Sequence, residues 1–174
     1  TRAPRVSEIA PRLRGMLAMG GQDEPTRFVM TFRTSAAIRN FVDGGELSRY
    51  ARQGPVTPDH AIRIKPKPVV LSRPGKFDLE GFFKSATRAI DKYKTDYAAY
   101  FERNNTDAND PKTQLDPVPR ILLVPGFGFF AVGSSAKAAD QAADLYENNV
   151  AVITAAEGIG RFRSITDHDM FEIE

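Results

Sequence analysis

The sequence predicts an α/β fold in which a mixed sheet is flanked by helices, with α+β as the alternative class. Three observations support this prediction. Short strand-like segments alternate with helical ones along the chain. Residues 120–133 indicate a β-hairpin around Gly126-Phe-Gly128, and an alanine-rich helix follows directly. Residues 78–103 place apolar side chains at helical spacing over many turns.

The first part of the chain predicts helices separated by one short strand. An apolar series indicates a helix that Ser7 caps and Gly20-Gly21 ends. Residues 27–32 form an aromatic and branched run typical of a strand. Residues 36–42 and 47–51 then predict two short helical segments. The apolar residues of the first helix are Ile9, Leu13, Met16 and Leu17.

A short helix and a brief buried strand are predicted next. Thr57 before Pro58 is typical of a helix start, since proline at the first position loses no hydrogen bond. Prolines in 65–68 force extended backbone and end this helix. Residues 69–71 then predict the strand.

The helix at 78–103 is the strongest single element, and Asp78 is its predicted cap. Its aromatic stripe favours packing in a core or at a domain interface over stacking on nucleic acid, because basic residues are not interleaved on that face. Residues 104–119 are polar, contain three prolines, and predict a loop.

The alanine-rich helix is predicted from Ala136 to about Ala156, and its small side chains imply close approach to a sheet. Gly158 and Gly160 are its expected end. Thr166-Asp-His-Asp169 indicates the cap of one further helix.

Composition limits the class of protein. The 174 residues suffice for one domain with a core, so we expect 1–174 to be a single domain. No apolar run approaches the ~18 residues that a membrane span needs, and no cysteine is present to form disulfides or thiolate metal sites. We expect a cytoplasmic protein with no membrane partner.

Charge is distributed unevenly between the two halves of the chain. Residues 1–76 carry 14 Lys and Arg against 6 Asp and Glu, a net +8. Residues 77–174 carry 10 against 16, a net −6, so the whole chain has only +2 and we expect no nucleic-acid partner. The halves either complement each other or another domain, or the basic half contains an anion site.

The sequence offers few residues for metal binding or nucleophilic catalysis. Only His60 and His168 are present, whereas a catalytic zinc of the aldolase kind needs three histidines or a comparable set. We expect His168, between two aspartates, to be a surface residue at a helix start. No catalytic, metal or cofactor-binding residues are assigned.

Two segments are candidates for binding an anion. Gly126-Phe-Gly128, together with the helix start at 133–135, resembles an anion cradle, although a tight turn explains the glycines as well. Ala131 breaks the spacing that a dinucleotide loop requires. The denser candidate is a polar cluster in the Thr57–Lys67 segment, whose alternative is a capped turn with solvated charges. It comprises Asp59, His60, Arg63, Lys65 and Lys67.

Several phrases together resemble one family. The hairpin and its following helix resemble the last part of a class II aldolase/adducin domain, a layered α/β unit. The phrases, in order, resemble the middle of bifunctional rhamnulose-1-phosphate aldolase/short-chain dehydrogenase proteins. They are Gly54-Pro-Val-Thr-Pro-Asp-His-Ala-Ile-Arg-Ile-Lys65, Tyr97-Ala-Ala-Tyr-Phe-Glu102, Pro119-Arg-Ile-Leu-Leu-Val-Pro-Gly126 and Glu157-Gly-Ile-Gly-Arg161.

The resemblance implies a parent with two activities in carbohydrate metabolism. An aldolase (lyase) domain with zinc would cleave a deoxysugar phosphate, and an oxidoreductase domain would use NAD on the aldehyde product. In the aldolase family the turn of the hairpin holds a zinc-binding histidine, and here that position is Phe127. The resemblance therefore implies a degenerate aldolase-like unit that holds neither cofactor.

Two functional hypotheses follow. The leading one is a non-catalytic spacer or assembly domain that docks the flanking aldolase and dehydrogenase domains of the same chain, with a homo-oligomer as a further partner. The alternative is an anion- or sugar-phosphate-binding module that uses Thr57–Lys67. The absence of an initiator Met, and an amphipathic stretch running to the last residue, lead us to expect a piece of a longer polypeptide.

Overall fold

A computed structural model describes residues 4–20, 25–75, 78–106 and 111–173. Strands and helices alternate there as predicted, which confirms the α/β class. The helices of the described residues are α1 (Val6–Met16), α2 (Ala36–Val42), α3 (Leu47–Tyr50), α4 (Pro58–Ile64), α5 (Leu79–Asn105), α6 (Ala136–Ile159) and α7 (Asp167–Ile173), and the strands are β1 (Val29–Arg33), β2 (Val69–Val70), β3 (Ile121–Val124) and β4 (Gly128–Gly133).

The sheet is mixed, as the sequence predicts. Its strand order is β1-β4-β3-β2. The β4 strand runs antiparallel to both neighbours, with Met30 opposite Val132 and Leu122 opposite Phe130. The β2 strand lies parallel to β3, with Val70 opposite Leu123, and forms one edge of the sheet.

The sheet separates two layers of helices, and β3 and β4 contribute core residues to both. All their residues are buried, which explains the continuous apolar runs in the sequence. Successive side chains alternate between the faces. One face packs against α1 and α5 through Leu122, Val124, Phe130 and Val132. The other packs against α2, α3, α4 and α6 through Ile121, Leu123, Phe129 and Ala131.

The α6 helix lies directly on β4, as its small residues predict. Ala139, Ala142 and Ala143 are buried. A methyl group added at Gly133 would overlap the backbone nitrogen of Ala139. Ser135 caps the helix by accepting a hydrogen bond from the N–H of Ala138 at 3.1 Å. The backbones of β4 and α6 are therefore in close contact at the junction between the two elements.

Three predicted helix boundaries are wrong, at Ser7, Gly20 and Gly158. Ser7 lies inside α1, because the carboxylate of Glu8 accepts the N–H of Arg5 at 2.5 Å and fixes the cap two residues earlier, at Arg5. Gly158 lies inside α6, which continues to Ile159, whereas Gly160 caps the end of the helix as predicted. Gly158 has open space around it, so its only cost is the helix propensity of glycine, about 1 kcal/mol. The α1 helix ends at Met16 with Leu17 as its cap, so the predicted stop at Gly20-Gly21 is too late, and Gly21 itself lies outside the described residues.

Of the other predicted caps, those at Asp78 and Thr166 are confirmed and the one at Thr57 is not. Asp78 caps α5 by accepting the N–H of Gly81 at 2.7 Å, and Thr166 accepts the N–H of Asp169 at 3.1 Å. Thr57 precedes α4 as predicted, but its hydroxyl makes no bond to the helix backbone and contacts the ring of His60 instead. Among the described helices, none is both long and apolar enough to cross a membrane.

We predict that Gly133→Ala destabilises the protein by about 1–3 kcal/mol or more, because the added methyl group must push α6 away from β4. Gly158→Ala is the matched control. It meets nothing within 4 Å and should stabilise the helix by up to about 1 kcal/mol. Urea unfolding of both variants measures the difference, and equal effects of the two substitutions would contradict the close α6–β4 contact.

Candidate functional site

The predicted anion-binding residues do not converge on one site. His60 is buried between α4 and α6, where its Nδ1 lies 2.5 Å from the hydroxyl of Thr57 and its Nε2 lies 3.4 Å from the Asn148 amide. Burial of the imidazole is the main reason that the pKa of His60 is lowered. His60 therefore packs two helices together and does not face solvent.

Lys65 is also buried, and its side chain is only 1% exposed. Its backbone has φ of 62°, a conformation that a lysine rarely adopts. The ammonium donates to the carbonyl oxygen of Asp116, lies 3.8 Å from the Asp116 carboxylate, and sits 4.2 Å from the ring centroid of Tyr97. Lys65 thus joins the chain after α4 to α5 and to the loop before β3.

The remaining members of the set are at the surface, in different settings. Asp59 and Arg63 are exposed on α4. Lys67 lines a groove and forms an ion pair with Asp167 at 2.9 Å. His168 is exposed on α7, as predicted. Of the five predicted residues, Lys67 alone lines that groove.

The turn of the hairpin already holds an anion, and that anion belongs to the protein. Gly126 has φ of 83°, which explains the glycine. Its N–H donates to the carboxylate of Asp43 at 2.6 Å, and Arg73 donates to the same oxygen at 2.6 Å. Thr34 fixes the other side by donating to the carbonyl oxygen of Phe127 at 2.7 Å. The glycines therefore form a tight turn that binds the carboxylate of Asp43. The helix start at 133–135, the other half of the predicted cradle, caps α6 through Ser135 instead.

Phe127, the degenerate metal position, is partly buried against the α1 and α5 side of the core. A phenyl ring offers no lone pair to a metal, and here it contributes apolar packing at the end of the sheet. Among the residues that the structure describes, no group of three or more His, Cys, Asp or Glu side chains is placed to hold a metal ion.

A groove of about 480 Å³ runs between α5 and the segment that leads into β2. Its floor includes Tyr93, Tyr97 and Tyr100, whose neighbouring ring centroids are 6.1 Å apart. Its polar lining carries four cations and two carboxylates. These are Arg52, Lys67, Lys92, Arg103, Asp96 and Asp167.

The second half of α6 presents an uncharged surface to solvent. Ile159 is 94% exposed and Val152 is 41% exposed. The other exposed positions between them and just before them are small or polar without charge. They are Ala151, Thr154, Ala155 and Gly158, and with Val152 and Ile159 they form what we call the α6 face.

Sequence reasoning missed both surfaces. The groove combines residues from 52 to 167, and neither Arg52 nor Arg103 stands in a motif. The one sequence signal for the groove was the aromatic stripe of α5, which includes Tyr93, Tyr97 and Tyr100. The α6 face was visible as a run from 148 to 160 in which Glu157 is the single charged residue, but its exposure was not.

Comparison with known proteins places the chain in context. A family model described as "Aldolase class II, second domain" matches residues 4–174. A protein of Bacillus subtilis (strain 168), named "Uncharacterized oxidoreductase YuxG", is 23% identical over 167 residues, which cover 95% of this chain and 23% of that protein. The chain thus spans about a quarter of the length of this relative. No solved structure matches the chain.

We predict that stability falls as the pH drops below about 6.5, the ordinary pKa of histidine. Burial lowers the pKa of His60 in the folded state, so the unfolded state binds a proton more readily in this window and is favoured by acid. Urea unfolding at about pH 7.5 and about pH 5 should show this loss of stability, and His60→Gln should reduce it. His168→Gln, at an exposed position, is the control and should keep the wild-type slope.

Proposed function

Because this chain belongs to the family of class II aldolase second domains, we propose that it is an assembly domain. It docks the neighbouring domains of a longer aldolase-related enzyme and performs no chemistry of its own. The observation that carries this proposal is the α6 face, an exposed helical surface without charge.

The contrast within α6 supports docking at this surface. Exposed positions of its first half carry charge, at Lys137, Asp140 and Asp144, as expected for a helix facing water. The α6 face carries none between Ala151 and Ile159, and it ends in an isoleucine that is almost fully exposed. The one charged residue in that stretch, Glu157, is partly buried and paired with Arg49. Contiguous exposed apolar residues are typical of surfaces that bind another protein surface.

The relative supports a neighbour in the same polypeptide, since about three quarters of its length lies outside the region that matches this chain. We propose that the parent joins a zinc-dependent sugar-phosphate aldolase domain, acting on rhamnulose 1-phosphate, to an NAD-dependent short-chain dehydrogenase domain. The name of the relative, an oxidoreductase, supports the second of these. Both cofactors would be held by those domains.

The alternative, an anion-binding module on Thr57–Lys67, has weaker support because that segment divides between the core and separate surfaces. Arg63 is the exposed cation on which it now depends. Titration with inorganic phosphate, followed by thermal unfolding, tests it by linkage. A saturable rise in melting temperature that Arg63→Ala abolishes would favour this alternative over the assembly role.

We predict that Ile159→Arg and Val152→Arg disrupt the packing of this domain in a full-length protein that carries it, because a buried arginine at an apolar contact loses its hydration. Limited proteolysis should then cleave between the domains, and light scattering should detect any change in oligomeric state. In the isolated 174-residue chain the same substitutions should change stability by no more than about 0.5 kcal/mol, since both sites are exposed.

Ile165→Arg is the matched control. Ile165 is 49% exposed but lies outside the α6 face. If proteolysis and oligomeric state respond equally to all three substitutions, or to none of them, the α6 face is not the docking surface and the proposal fails.

A further inference from the structure

We propose that the groove between α5 and the outer edge of β2 binds an extended acidic segment of a neighbouring domain, which pairs with Val70 as an added strand. This inference rests on the proposed function, and it names a second surface and the kind of chain that occupies it. Four features of the groove support it: an open strand edge, a matching length, an aromatic floor and a surplus of positive charge.

The open edge follows from the hydrogen bonds between β2 and β3. The N–H of Leu71 donates to the carbonyl oxygen of Leu123 at 2.9 Å, and Val70 stands opposite Leu123 in the parallel ladder. In that ladder Leu71 and Val69 direct their backbone groups to β3, so Val70 directs its N–H and C=O the other way. Within the described residues β2 is an edge strand, and both Val69 and Val70 line the groove.

Two prolines limit how far a strand can pair. Pro66 and Pro68 line the groove just before β2 and have no N–H to donate. Prolines on an edge are a common protection against uncontrolled strand addition. Pairing at Val70 is therefore short, and side-chain contacts must supply the remaining affinity and the selectivity.

The opposite wall of the groove sets its length. It runs along α5 from Ala89 to Arg103, which is about 21 Å at the helical rise of 1.5 Å per residue. An extended chain rises about 3.3 Å per residue, so roughly six residues fit. Tyr93 and Tyr97 lie parallel within 2°, and Tyr97 and Tyr100 within 28°. These rings form an apolar floor for the inward side chains of the segment.

The charges of the groove select an acidic segment. Four cations face two carboxylates, and Lys67 and Arg103 share Asp167 at 2.9 and 3.6 Å. Lys92 pairs with Asp96 at 2.8 Å, and Arg52 is exposed at the rim. Carboxylates at alternate positions of an added strand would meet this excess of positive charge.

A synthetic probe tests the inference on the 174-residue chain. The probe is a fluorescein-labelled six-residue peptide that alternates Glu and Val, and fluorescence anisotropy follows its binding. We expect saturable binding that weakens as salt rises. Arg103→Glu and Lys67→Glu should each weaken binding about tenfold. Lys137→Glu, at an exposed cation on α6 outside the groove, is the matched control and should leave the affinity unchanged.

A second probe tests the backbone pairing. N-methylation of the peptide amide that would donate to the carbonyl oxygen of Val70 removes one hydrogen bond and should weaken binding about two- to tenfold, whereas methylation of the amides on either side of it should not. Thermal unfolding of each variant checks that the fold is intact.

Three outcomes would overturn the inference. They are no binding of the Glu-Val peptide, equal binding of a Lys-Val peptide, or equal binding after either pattern of N-methylation. None of these alters the response of the α6 face to Ile159→Arg, so a failure at the groove is distinct from a failure of the assembly function.

Discussion

The buried ammonium of Lys65 is the interaction on which the arrangement around β2 depends. It ties the turn after α4 to the ring of Tyr97 on α5 and to Asp116 in the loop before β3. A lysine at positive φ costs on the order of 1–3 kcal/mol, and a charge without water needs partners. The contacts with Tyr97 and Asp116 offset the backbone strain and the lost hydration of the ammonium. They also fix the point at which β2 starts, and β2 forms one wall of the groove.

Asp116 is the acidic partner in this arrangement. Burial alone would raise its pKa, but hydrogen bonds from Arg120 and the charges of Arg120 and Lys65 outweigh burial and lower it. Arg120 binds both carboxylate oxygens, at 2.9 and 2.5 Å. The carboxylate therefore stays ionised between two cations. This charge, the hydrogen bonds between Asn105 and Lys112, and the burial of Val118 together hold a loop that contains several prolines.

The sequence predicted those parts of the fold that local pattern controls. The buried strands β3 and β4 and the stripe of α5 follow from hydrophobic spacing, and the Asp78 cap and the helix start at 133–135 follow from residue type. Other parts depend on distant partners that no local pattern contains. Lys65 and His60 were both predicted as members of an anion site. The sequence does not show that Lys65 is buried against Tyr97 and Asp116, or that α6 covers His60. The groove and the α6 face likewise emerge only once the helices have packed.

The turn of the hairpin binds the carboxylate of Asp43, a residue that caps the end of α2. Gly126 and Arg73 make a cradle suited to a small anion, and a tethered side chain occupies it. A tethered ligand has a fixed local concentration, so its occupancy does not vary with the supply of phosphate or any other free anion. The turn of the hairpin is therefore held by a residue of the chain itself and needs no free anion.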